Sequence, residues 1–240
     1  MTRSYELNQR VTSAPVLGHC DLDRLTCDRA LLPLIAPSCR CVTIATLTVM
    51  DEESRSVTER LRKESAGSAH FERLSGTDDH DELAGVLVAP QQPLWARELA
   101  AFRLGRAGDR RSFEALVLLL NHRDPERCAG AAHALARLRD PRTARAAAAL
   151  ATNELRVAYA LHPVRLLTAL RAPESAPALI TALERRLASP HDPYWRIALA
   201  CVEGLGALAD KRAVPVLVAA RTQPRLAAAA TAALARIGEL

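Results

Sequence analysis

A chain of 240 residues with 49% apolar but only 3% aromatic content can bury a sizeable core, one built from alanine and leucine rather than from rings. The net charge of +5 hides an asymmetry: residues 50–90 carry five basic and ten acidic groups, and residues 91–240 carry twenty-two and thirteen, a net +9. Six cysteines are too few for a disulfide framework, and the most apolar stretch, Leu31 to Met50, is broken by Pro33, Pro37 and Arg40, so secreted-scaffold and membrane-spanning classes are set aside and a cytoplasmic location is expected.

Residues 1–90 read as an irregular N-terminal extension and linker. Their candidate elements are short: a β-branched run Val42–Val49 with strand character, a helix from Glu53 to Lys63, and a helix from Asp81 to Val88 ahead of Pro90. Ser65–Ser68 and Ser75–His80 read as loop. Met50 opens an acidic run leading into a helix, so it is a candidate start, with residues 1–49 as an upstream extension of little packing value. His19, Cys20, Cys27, Cys39 and Cys41 could supply soft ligands, but their intervals lack C-x2-C knuckles, so no metal is expected. The run Asp78–Glu82 reads as a solvated helix cap.

From residue 91 onward a pattern returns. Leu104-Gly105 is followed by Asp109, Leu135-Ala136 by Asp140 and Leu205-Gly206 by Asp210, with a degenerate copy at Leu167-Thr168 and a truncated one at Leu234-Ala235. The leucine intervals of 31, 32, 38 and 29 residues are each the length of one helix pair. Ala100, Ala101 and Leu104, and likewise Ala131, Ala132 and Leu135, fall on one helical face, where small side chains let neighbouring helices approach closely. Gly105, Gly206 and Gly238 either permit such contact or start the turn. Asp109, Asp140 and Asp210 stand where a second helix needs an N-cap, and Pro141, Pro177 and Pro215 fall near its first turn. The expected fold is therefore all-α: a solenoid of about four to five helix pairs over residues 91–240, preceded by a poorly ordered segment.

The strings Arg97-Glu-Leu-Ala-Ala-Phe-Arg-Leu-Gly105 and Leu205-Gly-Ala-Leu-Ala-Asp-Lys-Arg-Ala-Val-Pro-Val-Leu217 resemble the HEAT-like repeat first described in phycobilisome lyases and known in many bacterial proteins. The resemblance implies an α-solenoid and leaves several functions open: chromophore lyase, deoxyhypusine hydroxylase, alkylpurine DNA glycosylase, or adaptor without chemistry. The hydroxylase branch uses paired His-Glu motifs, and none of His19, His70, His80, His122, His133, His162 and His191 precedes a glutamate. The catalytic aspartate of the glycosylase branch matches no position here. Nucleophile-elbow and phosphate-loop motifs are absent from the sequence, so no catalytic residues and no cofactor are assigned.

Binding remains. Arg97, Arg127, Arg156, Arg196 and Arg225 recur near first helices at irregular offsets and read as local salt-bridge formers. Arg145, Arg185, Arg186 and Arg221 lie on or just after second helices, which in solenoids of the resembled type line the inner surface. With Tyr194 and Trp195 they form the candidate partner-binding set. The expected function is a scaffold or adaptor holding a macromolecule, foremost a protein, on the concave face. The second reading is nucleic-acid binding by the basic solenoid, and the third is a lyase or cofactor-attachment factor.

Overall fold

The computed structural model describes residues 40–189 and 192–238, with side chains from residue 52 onward. Among these residues the structure is helical and contains no strand. Twelve α-helices follow in order: α1 (Arg40–Glu64), α2 (Ala69–Gly76), α3 (His80–Val88), α4 (Leu94–Ala107), α5 (Phe113–Leu120), α6 (Pro125–Leu138), α7 (Thr143–Ala151), α8 (Leu161–Leu170), α9 (Ser175–Leu187), α10 (Trp195–Leu208), α11 (Val214–Ala220) and α12 (Ala227–Gly238).

From α4 onward these helices form a two-layer α-solenoid. Helices α4, α6, α8, α10 and α12 each pack on the next to make one layer, called A, and α5, α7, α9 and α11 make the second, B. The A helices are joined through small residues. A Cβ built on Gly105 would stand 3.1 Å from the Cβ of Ala134 in α6, and one on Gly206 would stand 2.7 Å from the Cβ of Ala233 in α12. A Cβ on Gly204 would collide with the Thr168 hydroxyl of α8. Gly105 and Gly206 therefore serve close helix approach. Because these contacts join C-terminal halves, the A helices run parallel and their ends emerge along one edge.

The turns repeat with the same period. The left-handed residues Gly108, Arg139, Arg171 and Ala209, with φ of 82°, 52°, 50° and 55°, each stand four positions after the buried leucines Leu104, Leu135, Leu167 and Leu205. The carboxylates of Asp109, Asp140 and Asp210 follow and accept a backbone hydrogen bond from the residue two further on, the N-cap geometry expected for them. Arg111, Arg142 and Arg212 also turn their guanidinium groups back onto the same carboxylates, at 2.6, 3.0 and 2.6 Å. These hydrogen bonds from arginine hold the three aspartates below the usual carboxylate range. The third turn lacks the aspartate. There the Ser175 hydroxyl donates to the Leu167 carbonyl at 2.7 Å and accepts from the Ala172 amide at 3.1 Å.

Two expectations are corrected. The β-branched run Val42–Val49 lies inside α1, strand propensity being a weak preference that does not by itself fix the backbone. In the segment expected to be irregular, the helices read over Glu53–Lys63 and Asp81–Val88 lie within α1 and α3, but α2 is added between them and all three join the solenoid core. Val57, Leu61, Phe71, Leu74, Leu83 and Val86 are buried with Leu99, Ala100 and Leu104 in one apolar cluster. Ser68 and Asp79 cap α2 and α3, Asp79 accepting from the amides of Asp81 and Glu82 at 2.8 and 3.1 Å. The readings of His19, Cys20, Cys27 and Cys39, and of an upstream extension before Met50, fall outside the described residues or their side chains, as does Cys41. Cys128 and Cys201 are buried in α6 and α10, and burial pushes the Cys201 thiol up to about 12.

Candidate functional site

The A layer is covered over its first two repeats by α1. Glu98, only 3% exposed on α4, receives hydrogen bonds from Arg60 of α1 and Arg127 of α6. The same two arginines reach Glu64 at 2.7 and 2.6 Å, closing a square of two guanidinium groups and two carboxylates. One helix turn or so earlier, Val57 meets α6 at Gly130, where a Cβ would come within 3.0 Å of the valine methyl. Glu53 Oε2 lies 2.7 Å from Nδ1 of the buried His133, whose Nε2 is 3.3 Å from the Ser54 hydroxyl and whose ring stacks on Phe102. Charge pairing, a small-residue seat and a histidine thus fix α1 on α4 and α6.

The B layer keeps its outer face open. Leu118 on α5 is 74% exposed and Val218 on α11 is 43% exposed, with Ala149 of α7 and Val214 of α11 also exposed. Leu118, Ala149 and Val218 lie in the C-terminal halves of α5, α7 and α11, and α9 between them exposes Pro177, Glu184 and Arg185 instead, so the apolar groups form two patches on this layer.

The predicted binding residues divide between the two ends of this layer. Arg185 and Arg186 close α9. Arg185 Nε is 3.2 Å from Glu154 and its guanidinium also donates to the Thr152 carbonyl, whereas Arg186 pairs with Asp192 at 2.9 Å. Asp192 accepts the Tyr194 amide at 2.7 Å, so one carboxylate ties the end of α9 to the residue before α10. Tyr194 is 37% exposed, and the half-buried Trp195 ring has the guanidinium carbons of Arg196 and Arg225 each 5.5 Å from its centre. Arg221, exposed just after α11, and Arg225 lie in the turn that joins α11 to α12. Five of the six residues therefore share the edge where B helices return to A helices.

Arg145 does not join them. It is exposed in the first turn of α7, and its counterpart in α9 by repeat position is Pro177, eight residues or about 12 Å before Arg185 along the helix. The other tryptophan is structural: Trp95 packs on His70 and Phe71 of α2, at ring separations of 5.5 and 6.1 Å. The recurrent first-helix arginines follow several fates. Arg127 pairs with Asp124 at 3.5 Å as well as with the glutamates, and Arg156 donates to the Asn121 side chain and carbonyl. Arg196 and Arg225, read from the sequence as local salt-bridge formers, join the site through the Trp195 ring, Arg196 as its chain neighbour and Arg225 across repeats, a contact that sequence spacing does not display.

The cleft beside Arg185 and Arg186, lined also by Thr152, Val157 and Ile197, has a volume of about 10 Å³, room for no more than one water. Among the described residues no group of three or more His, Cys, Asp or Glu is placed to hold a metal ion, and no helix is long and apolar enough to cross a membrane. The arrangement offers surface recognition: aromatic area, cations at its rim and aliphatic side chains along the adjoining face. No protein-family model and no curated protein sequence matches the chain.

Proposed function

We propose that this chain is a cytoplasmic, non-catalytic scaffold of the HEAT-like kind that holds a protein partner along the outer face of its B layer. The observation that carries the reading is the exposure of Leu118 and Val218 on that face, beside an edge where Tyr194 and Trp195 are flanked by Arg185, Arg196, Arg221 and Arg225. Aromatic and arginine anchors with neighbouring aliphatic contacts are the composition of protein interfaces. The location of α1 supports the same choice, since it occupies the A layer at the first repeats and, among the described residues, leaves the B layer uncovered.

The test is quantitative affinity capture from the native host with three forms of the full chain: wild type, Leu118→Asp/Val218→Asp, and Tyr194→Ala/Trp195→Ala. The expected result is one or more proteins enriched by wild type and lost from both variants, at unchanged melting temperature. Equal capture by all three would overturn the reading.

A further inference from the structure

The opposite edge of the solenoid, where A helices turn into B helices, carries a second pattern. Each of the four turns presents one exposed cation whose side chain enters no ion pair and no hydrogen bond among the described residues: Arg110, Arg139, Arg171 and Lys211. They are distinct from Arg111, Arg142 and Arg212, which are held by the turn aspartates. The parallel packing of α4, α6, α8 and α10 brings the four turns into sequence along one edge. Neighbouring turns also touch directly. Arg142 pairs with Glu114 of the preceding repeat at 3.2 Å, Arg110 acts electrostatically on Asp140, and Arg171 shares an open depression with Asp210 and Arg212.

Local needs of the fold explain only half of this row. Arg139 and Arg171 are the C-cap residues of α6 and α8, where a cation gains from the helix dipole. Arg110 and Lys211 instead open the 3-10 turns that lead into α5 and α11, where the dipole opposes positive charge. Among the described residues Arg110 has only the longer-range field of Asp140 and Lys211 is in no ion pair, so the guanidinium and ammonium heads are left free to meet an external anion.

We infer that this edge binds the phosphate backbone of duplex nucleic acid without reading its sequence. Helices of one layer stand about 8–10 Å apart, so four cations extend over roughly 25–30 Å. Duplex DNA offers a charge about every 1.7 Å of its axis, so each cation meets a phosphate in any register. An acidic protein would have to match four separate positions. None of the chain's three tyrosines, two tryptophans or three phenylalanines lies in the stretches 108–112, 139–143, 171–175 and 209–213, so base stacking has no platform there and a duplex is favoured over a single strand. This surface lies at the far ends of the helices from Tyr194 and Trp195, so the inference is independent of the protein-docking reading.

The experiment is fluorescence anisotropy of a labelled duplex of about 20 base pairs with the full chain, over a salt series. Four neutralised phosphates predict a log–log slope near −3.6, a loss of roughly 150-fold in affinity between about 50 and 200 mM salt. The variant Arg110→Ser/Arg139→Asn/Arg171→Asn/Lys211→Ser uses asparagine at the left-handed positions and should bind at least tenfold more weakly with a flattened slope. A control of equal charge change away from this edge, Arg62→Ser/Lys63→Ser/Arg123→Ser/Arg165→Ser, should retain affinity within a few-fold. Absence of binding at 50 mM salt, equal losses in the two variants, or binding of poly-glutamate in place of the duplex would each overturn the inference.

Discussion

The carboxylate of Glu98 in α4 is ion-paired to the guanidinium of Arg60 in α1, and that pair holds an N-terminal helix on the first two repeats. Arg127 completes the arrangement from α6, and both arginines share Glu64 as well. Glu98 is buried, whereas Glu64 is about one-third exposed. Removing one partner from a buried charge network leaves the others uncompensated, at about 3–5 kcal/mol, but an exposed pair contributes about 0–1 kcal/mol. Glu98→Ala should therefore lower unfolding free energy by several kcal/mol in urea titrations, and Glu64→Ala by about one. Equal, small effects of both would show that α1 is not held by this network.

The interhelical glycines give a prediction with opposite signs at different positions. Gly206→Ala places a methyl 2.9 Å from the Ala233 Cα, which is backbone and cannot swing aside, so a destabilisation of about 1–3 kcal/mol is expected. At Gly105 the nearest atom, 2.7 Å away, is the flexible end of Leu116, and the loss should be smaller. Gly85, inside α3, has no atom within 4 Å of an added methyl, so Gly85→Ala should stabilise by about 0.5–1 kcal/mol through helix propensity. Thermal melts of the three variants read the order directly. A destabilising Gly85→Ala or a neutral Gly206→Ala would contradict the packing described.

His133 and His162 predict the pH dependence. Burial holds both imidazoles below their ordinary value of 6.5. Arg137 and Arg106 add to this at His133 and Arg165 at His162, while Glu53 opposes it at both. The unfolded chain then binds more protons than the native one between the depressed value and 6.5, so this contribution is complete above 6.5 and is lost as pH falls below it. The urea midpoint should drop between about pH 7.5 and about pH 5.5, and the slope should flatten in His133→Gln/His162→Gln. An unchanged slope in the double variant would assign the effect elsewhere.

The repeats were legible because their period is carried by residues with a single structural use. Leu104, Leu135, Leu167 and Leu205 are all fully buried, and the left-handed turn residues keep their spacing even where Arg139, Arg171 or Ala209 replaces the expected glycine. The copy at Leu167-Thr168, degenerate in sequence, is a complete pair in structure because Ser175 takes over the turn. Helix α3 was readable from its capping run and the proline after it, but α2 was not: eight residues long, it anchors through Phe71 and Leu74, too few positions to establish a period. The site was legible by residue type and not by placement. Nothing in the spacing separates Arg145 from Arg185 along the B layer, and the stacking of Arg225 on Trp195 joins residues 30 apart by number. The Asp-x-Arg clasp was present in three turns, but the aspartate alone drew attention because a cap explains it without the arginine.

That clasp supports the last prediction, a repair of the third turn. Ala172 occupies the position of the cap aspartates, since its carbonyl accepts the Ser175 amide at 2.9 Å as the Asp140 and Asp210 carbonyls accept those of Thr143 and Ala213 at 3.0 Å. Ala172→Asp/Glu174→Arg would supply both halves of the missing clasp. A cap replacing alanine contributes about 1 kcal/mol, so the variant should melt a few degrees above wild type at neutral pH. The converse change, Ser175→Ala, removes one of the two hydrogen bonds to the Leu167 carbonyl, which keeps the Arg171 amide, and strands the Ala172 amide, and should cost about 1–3 kcal/mol. In the repaired turn the arginine would depress the carboxyl as it does at Asp109, Asp140 and Asp210. Its extra stability would then be complete above the ordinary carboxylate value of 3.8 and fade as pH falls through the depressed one. A gain that persists unchanged at about pH 2 would show that the new pair stabilises by some route other than a charged cap, and no gain at neutral pH would mean that Ser175 already satisfies the turn in full.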